Sequence, residues 1–140
     1  MAECLAMTPG DRAPGRQALR DRQARGLRAH LAGEAAEASI ARRYRDRGYA
    51  VDRRRWRGKG GEIDLILRNG AALVFVEVKS GPDIATAASR LGPRQQARLF
   101  AAAGEFLASE PAGLETEARF DVALVDGRGG VEIIENAFTS

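Results

Sequence analysis

The spacing of apolar and polar positions along the chain changes several times, and each change marks an element. Ile63-Asp64-Leu65-Ile66-Leu67 and Ala72-Leu73-Val74-Phe75-Val76 are short runs of branched and aromatic residues, the composition of strands. Asn69-Gly70 between them is a strong hairpin signal. Upstream, Leu31 to Arg47 reads as a helix: alanine-rich, with arginines in its last turns and Gly48 as the stop. Its buried side is predicted to hold Leu31, Ala35, Ala38, Ile40, Ala41 and Tyr44. Tyr49 to Trp56 reads as a first strand. Ser80 to Gly92 reads as a loop with a short helix, and Pro93 opens a helix to about Ser109, with Pro111 beyond its end. Ala118 to Val125 and Val131 to Glu135 close the chain as strands around Asp126-Gly127-Arg128-Gly129-Gly130. The expectation is one α/β domain with a mixed sheet of four to five strands flanked by helices, in the order α-β-β-β-α-β-β.

The hairpin organises the charges. A two-residue turn at Asn69-Gly70 would set Arg68 opposite Ala71, Asp64 opposite Phe75 and Glu62 opposite Glu77. Glu62, Asp64, Glu77 and Lys79 would then share one face, with Ile63, Leu65, Val74, Val76 and Val78 on the other. Opposed carboxylates repel, and a divalent cation would relieve them. Glu62 and Lys79 could equally be strand ends reaching water. Asp64, flanked by Ile63 and Leu65, has less claim to a solvent role.

Composition narrows the chemistry. Cys4 is the only cysteine and His30 the only histidine, which excludes an internal disulfide and a Cys/His zinc site. Any metal must be held by oxygen ligands, which favours Mg²⁺ or Mn²⁺. The longest wholly apolar run, Ala71 to Val76, is too short to cross a bilayer, and the N-terminus shows no secretory pattern. A cytoplasmic location without membrane attachment follows as the default.

Charge is divided unevenly. Residues 1–60 carry 15 Lys+Arg against 7 Asp+Glu, a net of +8, whereas residues 61–140 carry 7 against 12, a net of −5. The basic part ends in Arg53-Arg54-Arg55-Trp56-Arg57-Gly58-Lys59, immediately before the acidic motif. Arginines beside an aromatic suit phosphate contact and base stacking. An arginine-rich composition alone would account for their number, though less well for their clustering. Residues 1–26, rich in Arg, Ala, Gly and Pro, are expected to form a mobile basic tail, with the domain over 27–140. Gln96 falls on an apolar stripe with Leu99, Phe100, Ala103 and Leu107; it could reach a metal site or a nucleic-acid backbone, or satisfy a buried carbonyl. Asp121, beside Phe120, is a further inward acid or the partner of an arginine.

Gly61-Glu62-Ile63-Asp64, a short hairpin and Phe75-Val76-Glu77-Val78-Lys79 resemble the core of the PD-(D/E)XK nuclease superfamily. More closely, the chain is similar to the YraN-like family of small bacterial proteins, grouped with endonucleases. The similarity runs from about Leu31 to Phe138 and includes Gly48-Tyr49, Arg119-Phe120-Asp121-Val122 and Ile134-Glu135-Asn136-Ala137-Phe138. It implies a restriction-endonuclease-like fold and places Asp64, Glu77 and Lys79 on the three superfamily positions. It also tips Glu37, on one helical stripe with Ile40, Ala41 and Tyr44, from a stripe-edge residue paired with arginine to a fourth acidic member of the site. Where the family often has a lysine, this chain has Gln95. The implied activity is endonuclease action, in branched DNA by analogy with Holliday-junction resolvases. Asp64, Glu77 and Glu37 would hold Mg²⁺ or Mn²⁺, and Lys79 would serve the attacking water. DNA is favoured over RNA. Resolvase-like relatives work as homodimers, since two strands need two cuts. A nuclease fold that grips nucleic acid without cutting it, and a scaffold with a structural acidic cluster, are the competing readings.

Overall fold

A computed structural model of the chain describes residues 14–138. The elements are α1 (Pro14–Asp46), β1 (Ala50–Arg57), β2 (Glu62–Asn69), β3 (Ala72–Ser80), α2 (Ile84–Ser89), α3 (Pro93–Leu107), a 3₁₀ turn (Gly113–Glu115), β4 (Ala118–Val125) and β5 (Val131–Ile134). The expected order holds, with the short helix inside the predicted loop. The strands form one sheet in the order β1-β2-β3-β4-β5. The β3–β4 pair is parallel and the others antiparallel, so the sheet is mixed.

α1 starts well before the predicted Leu31. Gly26, the end of the expected mobile tail, and Gly33 lie inside it with open space around them. Each costs up to about 1 kcal/mol against alanine, and the surrounding Ala, Arg, Gln and Leu favour helix enough to carry through. The chain divides into two compact units, one up to Ala35 and one from Ala36 on. In the first, Leu19, Leu27 and Leu31 are exposed. Cys4 and the rest of residues 1–13 lie outside the described residues.

In the second unit, Ala36, Ile40, Ala41 and Tyr44 of α1 pack on Leu65, Leu67, Val74, Val76, Ala123 and Val125. The buried stripe is therefore narrower than expected, since Leu31, Ala35 and Ala38 face solvent. On the other side, Ile63, Ile66, Leu73 and Phe75 pack on Leu99, Ala102, Ala103 and Phe106 of α3. That stripe is rotated by one residue from the predicted Gln96 phase and places Gln95 one turn before Leu99.

The hairpin differs from expectation in register. Asn69 pairs with Ala72, and the ladder runs to Leu65 opposite Val76. The turn residues are Gly70 and Ala71, with Gly70 at φ 66°. Glycine at the first central position with positive φ is the pattern of type II′ turns. A type I′ turn on Asn69-Gly70 would have required Asn69 to take positive φ as well, and it does not. The register moves by two residues, an even number, so the acids keep their common face. The position beyond Leu65 and Val76 now brings Asp64, rather than Glu62, beside Glu77.

One apolar residue changes sides. Ile63 packs under α3, although Leu65 packs under α1. Arg54 pairs with Leu65 and Trp56 with Ile63, so Arg55 lies across from Asp64, and Arg55 has φ 50°. A left-handed residue within a strand turns the following side chains, and Trp56 and Ile63 both go under α3.

Candidate active site

β2 and β3 separate beyond the Leu65–Val76 pair, because the next hydrogen bond is not made between backbones. The Val78 amide donates to Asp64 Oδ2 at 2.8 Å instead. This bond turns Asp64 toward β3 and opens a cleft lined by Gly61, Glu62, Asp64, Glu77, Val78, Lys79, Gln95, Arg98 and Leu99, about 330 Å³ in volume.

Glu77 is the centre of that cleft and only 5% exposed. Gln95 Nε2 donates to Glu77 Oε2 at 2.7 Å, and Lys79 Nζ lies 3.1 Å from the same oxygen. Glu77 Oε1 is buried with no hydrogen-bond partner. Burial and then the neighbouring Asp64 carboxylate push the Glu77 carboxyl up to about 8, against the opposing pull of Lys79. Burial and the Asp64 charge thus favour the protonated form of Glu77.

Glu37 approaches from α1. Its carboxylate accepts from Arg55 Nε at 3.0 Å. Its pKa is raised, first by burial, and the charges of Asp64 and Glu62 add to this. Among the described residues, no three acidic, histidine or cysteine side chains come together closely enough to hold a metal. Two carboxylates, Asp64 and Glu77, do meet. A magnesium site needs only one or two carboxylates, completed by water and substrate phosphate. The orphaned Oε1 of Glu77 fits such an ion, because a buried unpaired carboxylate oxygen is costly unless a cation or proton satisfies it.

The other predicted contacts are dispersed. Glu62 is exposed and 3.5 Å from Arg57. Arg53 pairs with Asp52 and Arg55 with Glu37, while Arg54 is exposed. Trp56 is half-buried and meets Phe106 edge to face, with centroids 5.3 Å apart. Lys59 is exposed, and its backbone amide donates to Glu105. Gln95, rather than Gln96, reaches the acids; the one-residue phase of α3 separates the two. Asp121 is fully buried and takes the Tyr44 hydroxyl at 2.7 Å, Arg119 Nε at 2.9 Å and the Asn136 amide at 3.0 Å, so it is the arginine-paired structural acid.

A clamp absent from the sequence reading sets the cleft's width. Glu105 on α3 accepts the amides of Lys59 and Gly60 at 2.7 and 2.5 Å. A Cβ on Gly60 would lie 2.8 Å from the Ala101 side chain, so the β1–β2 loop rests directly on α3. No local signal could have linked residue 105 to residue 60.

A mixed five-stranded sheet between helices, with an acidic cleft where two strands part, defines the class of protein. The profile of the uncharacterised protein family UPF0102 matches residues 36–125, and the chain belongs to that family. It is similar to a UPF0102 protein of Ruegeria pomeroyi, 65% identical over 114 residues, covering 81% of this chain and 93% of that relative. A UPF0102 protein of Cereibacter sphaeroides is 56% identical over 111 residues (79% and 95%), and one of Roseobacter denitrificans 52% over 114 (81% and 88%). Among the described residues, no helix is long and apolar enough to cross a membrane.

Proposed function

We propose that the protein is a metal-dependent nuclease of the PD-(D/E)XK type that hydrolyses phosphodiester bonds in nucleic acid, with DNA favoured over RNA. The observation that carries this reading is Glu77 Oε1, buried and unpartnered beside Asp64, with Lys79 on the other oxygen of the same carboxylate. Asp64 and Glu77 would hold Mg²⁺ or Mn²⁺, with Glu37, paired to Arg55, joining only through water. When bound, the ion would supply a water of lowered pKa and neutralise charge on the phosphate. Lys79 holds its ammonium beside the carboxylates, where it orients the attacking water and stabilises developing negative charge. Gln95 holds Glu77 by its Oε2, which leaves Oε1 available to an ion. The arginines and Lys59 of β1 and its following loop serve as outer contacts to nucleic-acid phosphate.

The test is a panel of junction, flap, single-stranded DNA and RNA substrates with Mg²⁺ or Mn²⁺, run beside Lys79→Ala to exclude a contaminating nuclease. Cleavage by the wild type and not by the variant supports the reading. Steeply salt-dependent binding with no cleavage would favour a non-cleaving binder, and no binding at all a scaffold.

A further inference from the structure

Among the described residues, the cleft contains one cationic side chain without a partner. Glu62 faces Arg57, Glu77 faces Lys79 and Asp64 accepts the Val78 amide. Arg98, which enters from α3, is exposed and has no hydrogen-bond or ion-pair partner among the described residues. Its backbone is nevertheless held. A Cβ on Gly61 would lie 3.2 Å from Arg98 Cβ and 3.4 Å from its carbonyl oxygen, so the loop leading into β2 packs on this turn of α3. Glu105 pins the same loop from two turns further along. By contrast, Arg53, Arg55 and Arg57 are tied to Asp52, Glu37 and Glu62, and no residue of 53–59 lines the cleft.

A guanidinium on a fixed base, across a cleft from paired acids, is matched to a second anion with oxygens in its plane, and phosphate satisfies that geometry in a bidentate way. We propose that Arg98 is the phosphate-anchoring residue of the cleft: it grips the non-bridging oxygens of the nucleic-acid strand entering between β2 and α3. This rests on the nuclease reading. The basic stretch of β1 then supplies outer contacts only, and α3 positions the strand at the acids. Arg94, one turn earlier on the same side of α3 and likewise exposed without a partner among the described residues, continues the cationic path away from the cleft.

The experiment measures binding of a fluorescein-labelled four-way DNA junction and a 20-nucleotide single strand, with Mn²⁺, in a Lys79→Ala parent so that turnover does not intrude. Arg98→Ala should weaken binding roughly five- to tenfold at low salt and lower the log–log salt slope by about 1. Arg98→Lys should recover part of the affinity and the whole slope. Arg128→Ala, on the exposed β4–β5 turn outside the cleft, should lose less than about twofold, by the small worth of exposed charges. Calorimetric Mn²⁺ affinity and melting temperature should be the same in Arg98→Ala and its parent. Arg98→Ala binding that matches the parent or Arg128→Ala overturns the assignment, as does a loss of DNA affinity that follows a loss of Mn²⁺ affinity. A parent that binds neither Mn²⁺ nor either DNA overturns both this inference and the nuclease reading, whereas a parent that binds both with Arg98→Ala unchanged overturns this inference alone.

Discussion

Lys79 Nζ and Gln95 Nε2 share one oxygen of Glu77, at 3.1 and 2.7 Å, and leave the other bare. Two donors on one oxygen hold the orientation of the carboxylate, and its other oxygen is buried without a hydrogen-bond partner. If Lys79 serves the reacting water, Lys79→Ala should lower cleavage by about 10³-fold, the scale of losing one preorganised charge. Binding of the same substrate should change by only a few fold. Single-turnover cleavage beside a binding isotherm separates the two effects, and retained cleavage would remove Lys79 from the reaction.

Glu77 carries a pH signature. Its carboxyl, raised to about 8, holds a proton in the folded metal-free protein that the unfolded chain releases near 4.5. The folded state therefore binds the extra proton between those values, and stability is lost as pH rises through that window. The metal-free melting temperature should fall from pH 5 to pH 8 and then level off. Glu77→Gln should flatten that fall. Mn²⁺ must displace the proton, so its affinity should climb with pH up to about 8. Calorimetry at pH 6, 7 and 8 tests this; a pH-independent affinity would count against it.

Asp64→Asn keeps an oxygen for the Val78 amide but removes the negative charge that helps push Glu77 up. The Glu77 pKa should drop toward its ordinary range, while Mn²⁺ affinity also falls. These changes point in opposite directions for a metal site governed only by Glu77 ionisation, so the pair of measurements identifies Asp64 as a ligand. NMR titration of the Glu77 side-chain carbon gives the first quantity and calorimetry the second.

The Tyr44 hydroxyl donates at 2.7 Å to the wholly buried Asp121. Tyr44→Phe should cost about 2 kcal/mol, as for a lost hydrogen bond to a charged group, measured by urea denaturation. Cleavage should be unchanged once folding is matched, because Asp121 faces α1 rather than the cleft.

Trp56 is the only tryptophan and lies against Phe106. Its fluorescence should report unfolding and respond little to nucleic acid. Trp56→Ala should destabilise the fold by about 2 kcal/mol, below the range for a fully buried aromatic since the ring is half-buried. Strong quenching on binding single-stranded DNA would instead return Trp56 to the stacking role that its arginine neighbours suggest.

The sequence by itself determined the element order, the mixed sheet and the common face of Asp64, Glu77 and Lys79, because these follow from local periodicity and the two-residue repeat of a strand. That repeat also explains why an error of two residues in the hairpin register left the acids together. Tertiary structure decided the rest. The phase of α3 placed Gln95 rather than Gln96 at Glu77, since packing of Leu99 and Phe106 on the sheet sets helix rotation more finely than an apolar stripe can. The left-handed turn at Arg55 sent Trp56 into the core and gave Arg55 to Glu37. The clamp from Glu105 to Lys59 and Gly60, and the exposure of Arg98 in the cleft, join residues some forty positions apart, a separation at which no local pattern carries information.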